Sequence, residues 1–304
     1  MGEHVSSTHP PQPLWIAKLV TAAQGARKIP AIWAEARAPA LTVRGAAPNK
    51  TAEQPGESMS TDAFRIEEDT ARHIATLRLS RGDKGNRLLA SELPQVGKAI
   101  RELARGKAFK VVLVRADGAD FCLGRQPDPA GTTPTTATGI RAAITEPILD
   151  VYADIRAAEL PVIAVVQGQA KGFGCALVSQ CDLAIAADDA TFSLPELDHD
   201  LPPTLAMSAM LHKIPPKRIL NLVYTRRTIG AAEALAIGLV SEVVPRASLN
   251  DAVETMLAHL IDRNRAALCG VKEYLGAALY ADPHGAARLA SNLLACVLSS
   301  PKEN

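Results

Sequence analysis

The chain has 304 residues, 47% of them hydrophobic, and a formal net charge of +1. That length supports one large domain or two small ones; the near-neutral balance gives no footing for nucleic acid or an acidic membrane, and an aromatic content of 4% leaves no base-stacking platform. No apolar run approaches the roughly 18 residues of a membrane-spanning helix, and the five scattered cysteines, without a C-x-x-C pair, read as reduced, mostly buried small hydrophobes rather than disulfides or a metal site.

Residues 1–58 stand apart. Pro10, Pro11, Pro13, Pro30, Pro39, Pro48 and Pro55 punctuate them, and no sustained period joins the apolar patches around Trp15 and Trp33. They read as a poorly ordered extension, or as sequence ahead of the start that is used, since Met59 opens what resembles the natural beginning of a folded domain. An organelle-targeting segment is the alternative. Glu3, Glu35, Glu53 and Glu57 weigh against it because transit peptides are poor in acids, so a cytoplasmic location is expected.

From about Phe64 the pattern becomes regular. Ala75, Leu77 and Leu79 alternate with Thr76, Arg78 and Ser80, as in a half-buried strand. Ser91 to Ala104 has helical spacing, with Leu93, Val96, Ile100 and Leu103 on one stripe, Ser91 as N-cap and Pro94 in the first turn. Val111 to Val114 is a short apolar run that suits a strand buried on both faces. A breaker-rich loop over residues 129–137 precedes a helix from about Ile144 to Ala158 and the strand Val162 to Val166. A glycine-rich turn, a short helix around Ala176 and the strand Leu183 to Ala186 follow. Such strand–helix–strand units imply right-handed crossovers and a largely parallel sheet. Beyond Pro203 the chain reads as almost wholly helical, apart from Leu239 to Val244, with closing helices at Ala252 to Ile261, Arg265 to Tyr280 and Ala286 to Leu298.

The turn Gly168-Gln169-Ala170-Lys171-Gly172-Phe173-Gly174 follows a buried strand and opens a helix, so its free N–H groups sit at the positive end of a helix dipole. It lacks the G-x-G-x-x-G order of a dinucleotide site. Lys171 precedes the last glycine, where a P-loop needs its lysine after it. An oxyanion site remains, beside the plainer reading of glycines that permit tight helix–strand packing. Phe121-Cys122-Leu123-Gly124-Arg125, taken alone, is a strand-exit loop.

Together these stretches resemble the crotonase, or enoyl-CoA hydratase/isomerase, superfamily. The resemblance is carried by ADGADFCLGRQPD, by LPVIAVVQGQAKGFGCALVSQCDLAIAADDATFSLPE and by TRRTIGAAEALAIGLVSEVVP, in the family's order, and covers about residues 64–300. It implies a crotonase-like α/β fold of repeated β-β-α units over residues 59–304, with an α/β core to about 245 and a helical region from about 246. In relatives that region packs against neighbouring subunits, so a homotrimer or homohexamer is expected. The substrate implied is an acyl-CoA thioester, with coenzyme A entering as part of the substrate, no further cofactor and no metal.

The resemblance also implies residue roles. The backbone N–H groups of Arg125 and Phe173 form an oxyanion hole for a thioester enolate, Glu196 in the Pro195-Glu196 pair is the acid/base, and Leu123, Gly124, Arg125, Gln126, Gly172 and Phe173 line the thioester site. The chain departs from the hydratase pattern at Ala176, where a second carboxylate is usual. One glutamate suits double-bond isomerisation better than hydration; the alternatives are a non-catalytic acyl-CoA-binding or assembly protein, or a hydrolase or lyase of the family on a specialised acyl-CoA. Arg125 is long and cationic where many relatives carry a small residue; it reads as a partner for a coenzyme A phosphate or an acyl carboxylate, or as a solvated loop arginine. Asp198, His199 and Asp200 follow Glu196 closely, with loop capping their simplest role, and Lys272 reads as exposed or as a contact for a coenzyme A phosphate.

Overall fold

Short continuous apolar runs decide the architecture, because a strand such as Val162–Val166, buried at every residue, must be covered on both of its faces. The computed structural model describes residues 61–127 and 134–300; the expectations for residues 1–58 lie outside the described residues. Strands β1 (Phe64–Asp69) and β2 (Ile74–Leu79) form an antiparallel pair. They are followed by β3 (Leu88–Leu89), helix α1 (Leu93–Arg105), β4 (Val111–Ala116) and β5 (Arg125–Gln126). Helix α2 (Ala137–Ile140) passes through a wider helical turn at Arg141–Thr145 into α3 (Glu146–Ala157). Next come β6 (Val162–Val166), β7 (Gln169–Lys171), α4 (Phe173–Gln180), β8 (Leu183–Ala187) and β9 (Thr191–Ser193). Then follow α5 (Thr204–Met210), α6 (Pro216–Thr225), β10 (Ile229–Gly230), α7 (Ala231–Ala236) and β11 (Glu242–Val244), and finally α8 (Leu249–Ile261), α9 (Arg265–Ala278) and α10 (Pro283–Ser299).

The main sheet has six strands in the order β1-β2-β4-β6-β8-β11, parallel except for β1. Every residue of β6 is buried, as a parallel strand covered on both faces requires. On one face Leu77, Val112, Val114, Ala164 and Val166 join the large core with Val96 and Ile100 of α1 and Val151 and Ile155 of α3. On the other, Ile74, Val111, Leu113, Ile163 and Ile185 pack with Leu249, Val253 and Leu257 of α8. Consecutive residues of β4 therefore serve opposite cores, the period-2 signature of a strand.

Short strands build a second layer. After β2, β4, β6 and β8 the chain adds β3, β5, β7 and β9; β3 pairs with β5, β7 with β9, and an isolated bridge from Cys122 to Ala170 links the two pairs. This is the expected β-β-α repeat, and it sets the ends of β5 and β7 side by side.

Three local expectations are corrected. Helix α1 starts at Leu93 with Glu92, not Ser91, at its N-cap; Glu92 is held by its carboxylate, which accepts from Leu89 N–H at 2.8 Å and pairs with Arg81. The pair β10–β9 was not anticipated, because two residues are too few for a periodic signal. Lys272 is neither exposed nor free for a phosphate. Its Nζ lies 2.7 Å from Asp182 and donates to the carbonyls of Ile155 and Leu160 at 3.0 Å each, anchoring α9 to the core.

Candidate active site

Two backbone segments run together where β7 meets α4. Cys122 N–H donates to Gln169 O at 3.1 Å and Lys171 N–H to Cys122 O at 2.9 Å. Gly174, second residue of α4, is what permits this approach, since a Cβ there would stand 2.2 Å from Cys122 O. Phe173 opens α4, so its N–H has no intrahelical acceptor. Arg125 lies opposite Leu88 in the β3–β5 pair. Leu88 N–H bonds Gly124 O at 3.2 Å, and parallel ladder geometry turns Arg125's own N–H away from β3. The two N–H groups assigned to an oxyanion hole thus lie on adjacent strands of backbone, with Gly124 and Gly172 as their neighbours in the chain.

Glu196 arrives from β9. Gly172 N–H donates to Ser193 O at 2.9 Å, and the chain then turns at Pro195 into a short 3-10 helix, Glu196–His199. Gly172 has φ 52° and ψ −115°, and a Cβ added to it would lie 3.0 Å from Glu196 Oε1. Glycine here both permits the backbone and leaves room for the carboxylate. Glu196 Oε2 is buried and has no hydrogen-bond partner among the described residues. Burial raises the Glu196 carboxyl above its ordinary value, the backbone and the Arg125 charge opposing that rise.

Arg125 itself is partly buried and its guanidinium pKa is lowered by that burial, with Tyr152 and Glu196 pulling the other way. Among the described residues it makes no side-chain hydrogen bond and no ion pair. Tyr152, on α3, is 1% exposed and stacks on Phe173, with ring centroids 6.2 Å apart and planes 10° from parallel. Burial and then Cys175 push its phenol well above the ordinary value, against the Arg125 charge. Sequence reasoning missed Tyr152, which lies on the same helical stripe as Ile148, Val151 and Ile155. The one available signal was a phenol on an apolar stripe, because a buried tyrosine hydroxyl needs a partner.

The other candidates separate from this centre. Asp198 pairs with Arg226 at 3.0 Å, His199 is exposed, and Asp200 takes the left-handed conformation (φ 55°, ψ 24°) that ends the short helix. These are loop roles, the simpler of the two expectations. Leu123 directs its side chain at Gly85, while Gln126 continues β5 beside Arg125. Ala176 is wholly buried within α4. Two surface cavities of about 340 and 420 Å³ lie elsewhere, one beside Arg115 and Glu254, the other beside Arg265 and Cys269. Neither touches Glu196, so the convergence of unpaired polar groups locates the site better than cavity size does. Among the described residues no group of His, Cys, Asp and Glu side chains gathers to hold a metal.

The model of the enoyl-CoA hydratase/isomerase family matches residues 69–297. Over 183 residues the chain is 33% identical to human enoyl-CoA hydratase domain-containing protein 3, mitochondrial, a match covering 60% of this chain and 59% of that protein's length. It is 30% identical over 188 residues to the probable enoyl-CoA hydratase echA8 of Mycobacterium bovis, covering 62% of this chain and 70% of the relative. The crystal structure of enoyl-CoA hydratase from Mycobacterium smegmatis superposes with a TM-score of 0.73 at 28% identity, over 79% of this chain and 92% of that one. With the β-β-α layers and the glycine turn already in place, the match settles the lineage: the chain has the crotonase fold and belongs to the enoyl-CoA hydratase/isomerase family.

Proposed function

We propose that the protein is an enzyme that takes an acyl-coenzyme A thioester, holds its carbonyl oxygen between the N–H groups of Arg125 and Phe173, and moves a proton with Glu196. The observation that carries this reading is the buried, unpartnered carboxylate oxygen of Glu196 beside Gly172, next to the freed N–H of Phe173. When a proton leaves the carbon beside a thioester carbonyl, its electron pair moves onto the carbonyl oxygen as an enolate. Preorganised donors aimed at that oxygen contribute roughly 3–4 kcal/mol each, by analogy with other oxyanion holes. Glu196, raised by burial toward the range of a useful general base, takes the proton and returns it.

Among reactions of that enolate, the site suits moving a double bond. In a 3-enoyl thioester Glu196 removes the proton between carbonyl and alkene, the C–H pair enters the extended enolate, and reprotonation at its far end gives the 2-enoyl isomer. One carboxylate suffices. Hydration is easiest with a second carboxylate to hold water, and position 176 is a buried alanine. Hydration is the second reading, favoured by the hydratase names of the relatives.

Incubating the full chain with 2-enoyl- and 3-enoyl-CoA in heavy water, read by NMR and mass spectrometry, tests both. Migration of the double bond with deuterium uptake and no added water is expected. Added water reassigns the reaction to hydration. Inertness toward every thioester would leave an acyl-CoA-binding protein instead. We further propose that coenzyme A enters only as part of the substrate, and that the working unit is a homotrimer or homohexamer. The human relative is named mitochondrial, so fractionation of cells expressing the full chain decides between that compartment and the cytoplasm.

A further inference from the structure

Neither N–H group assigned to the oxyanion hole is held by a long element. Arg125 lies on a strand of two residues, and Phe173 is the first residue of α4, directly after the left-handed Gly172. Their placement therefore depends on what fixes the loop that joins β4 to β5.

Asn86 anchors that loop. Its side chain is buried, and Nδ2–H donates to Asp117 O at 2.8 Å and to Asp120 O at 2.9 Å, so one amide ties down two turns of the loop. The Asn86 carbonyl accepts from the Cys122 thiol at 3.3 Å. Its neighbours continue the seam: Leu123 N–H donates to Gly85 O at 2.8 Å, and Leu88 N–H to Gly124 O at 3.2 Å. Asp120, whose carbonyl Asn86 holds, accepts from Gln169 N–H on its carboxylate at 2.9 Å. One side chain thus supports both arms of the hole. Through Asp120 and Cys122 it steadies the approach to Arg125, and through Asp120 and Gln169 it steadies β7, which leads to Phe173.

The amide is suited to this task by its donor alone. Asn86 is left-handed at φ 52°, a conformation that asparagine tolerates and glycine adopts more freely. Its Oδ1 is buried with no hydrogen-bond partner among the described residues, which lowers stability. Glycine would meet the backbone demand without an orphaned oxygen. What glycine would lose is the pair of bonds from Nδ2.

We infer that Asn86 is a positioning residue for the thioester site: its Nδ2 bonds to Asp117 and Asp120 set the spacing between the backbone N–H groups of Arg125 and Phe173. This rests on the acyl-CoA reading above and adds a residue that acts through the loop rather than on the substrate.

The test uses the full chain saturated with whichever of acetyl-, butyryl- and octanoyl-CoA binds tightest, labelled with carbon-13 at the thioester carbonyl. Hydrogen bonds to that oxygen draw electron density from the carbonyl and move its NMR resonance downfield of the free ligand. In Asn86→Gly, which keeps the left-handed backbone, the resonance should return toward that of the free ligand. Its kcat on enoyl-CoA should fall at least about tenfold with KM little changed, as a misplaced group acting in the transition state requires. Lys272→Ala, which loosens α9 far from this loop, should keep the wild-type resonance; an equal loss there makes the effect one of general stability and overturns the inference. Should Asn86→Gly not fold, Asn86→Asp tolerates the same backbone and can donate at most one of the two bonds, so the same loss is expected. A wild-type resonance in either folded variant overturns the positioning role and leaves the acyl-CoA reading intact. Failure of both variants to fold assigns Asn86 to the fold alone and overturns it as well. If none of the three thioesters binds the wild-type chain, the acyl-CoA reading falls, and the inference with it.

Discussion

Glu196 holds a buried oxygen that no donor among the described residues satisfies, an arrangement that lowers stability and persists where chemistry requires it. Burial raises its carboxyl above the ordinary 4.5. An acid raised in the folded state contributes stability below its unfolded pKa, and that contribution is lost as pH rises through the folded value. Ionised Glu196 therefore burdens the fold near neutral pH. Glu196→Gln should melt about 2 °C or more above wild type at pH 7, with the gap closing as pH falls below about 4. Its kcat should drop at least about 100-fold. Paired melting curves across that range check the first statement; identical curves at every pH would mean that Oε2 is solvated after all. Gly172 gives a second prediction at this scale. Gly172→Ala strains a backbone at φ 52° and presses on Glu196 Oε1, so we expect about 1–3 kcal/mol of destabilisation and a kcat loss beyond what folded fraction explains, read by denaturant titration beside the enzyme assay. Arg125, Phe173 and Glu196 were named through the family resemblance, and the structure sets Phe173 and Glu196 on either side of Gly172. Tyr152's contact with Phe173 was not legible, because Ile148, Val151, Tyr152 and Ile155 show one helical stripe whatever the aromatic packs against.

Among the elements, strands buried on both faces were the most legible. Val162–Val166 appears where its continuous apolar run predicts, and β4 extends two residues past its run to Ala116. Ends were less legible. A serine ahead of an apolar stripe suggests an N-cap, but at Glu92 a longer side chain reaching Leu89 N–H and Arg81 decides where α1 starts. Helix α9 shows why side-chain fate at this level escapes periodicity. Lys272, on a helix with a single buried residue, crosses to the carbonyls ending α3 and preceding β6 and to Asp182, whose carboxylate also accepts from Val162 N–H at 2.8 Å. Removing the ammonium leaves two carbonyls and one carboxylate short of a donor. Lys272→Ala should lower stability by about 3 kcal/mol while leaving thioester affinity unchanged, measured by denaturant unfolding and by titration. A drop in affinity with wild-type stability would return Lys272 to the coenzyme A site.

At the scale of the whole described chain, one region has apolar surface that its own core does not cover. The sheet's two faces are closed, one by α1 and α3 and the other by α8. Helix α10 contributes no buried residue, and along α9 and α10 Val271, Leu275, Leu294 and Leu298 are 72%, 60%, 60% and 77% exposed. Val271 and Leu275 are one turn apart, as are Leu294 and Leu298, so each helix presents a stripe rather than scattered residues. Stripes of this kind suit contact with another copy of the chain, which is how the expected trimer or hexamer would use them. The double variant Leu275→Glu, Leu298→Glu places charges in such a contact without touching either core. Wild type should sediment as one trimeric or hexameric species at micromolar concentration, and the variant at least about tenfold more readily as monomer, the factor that 1.4 kcal/mol confers. If wild type is itself a monomer across that range, the stripes face something else. Whatever completes the surroundings of Glu196 must then come from this one chain.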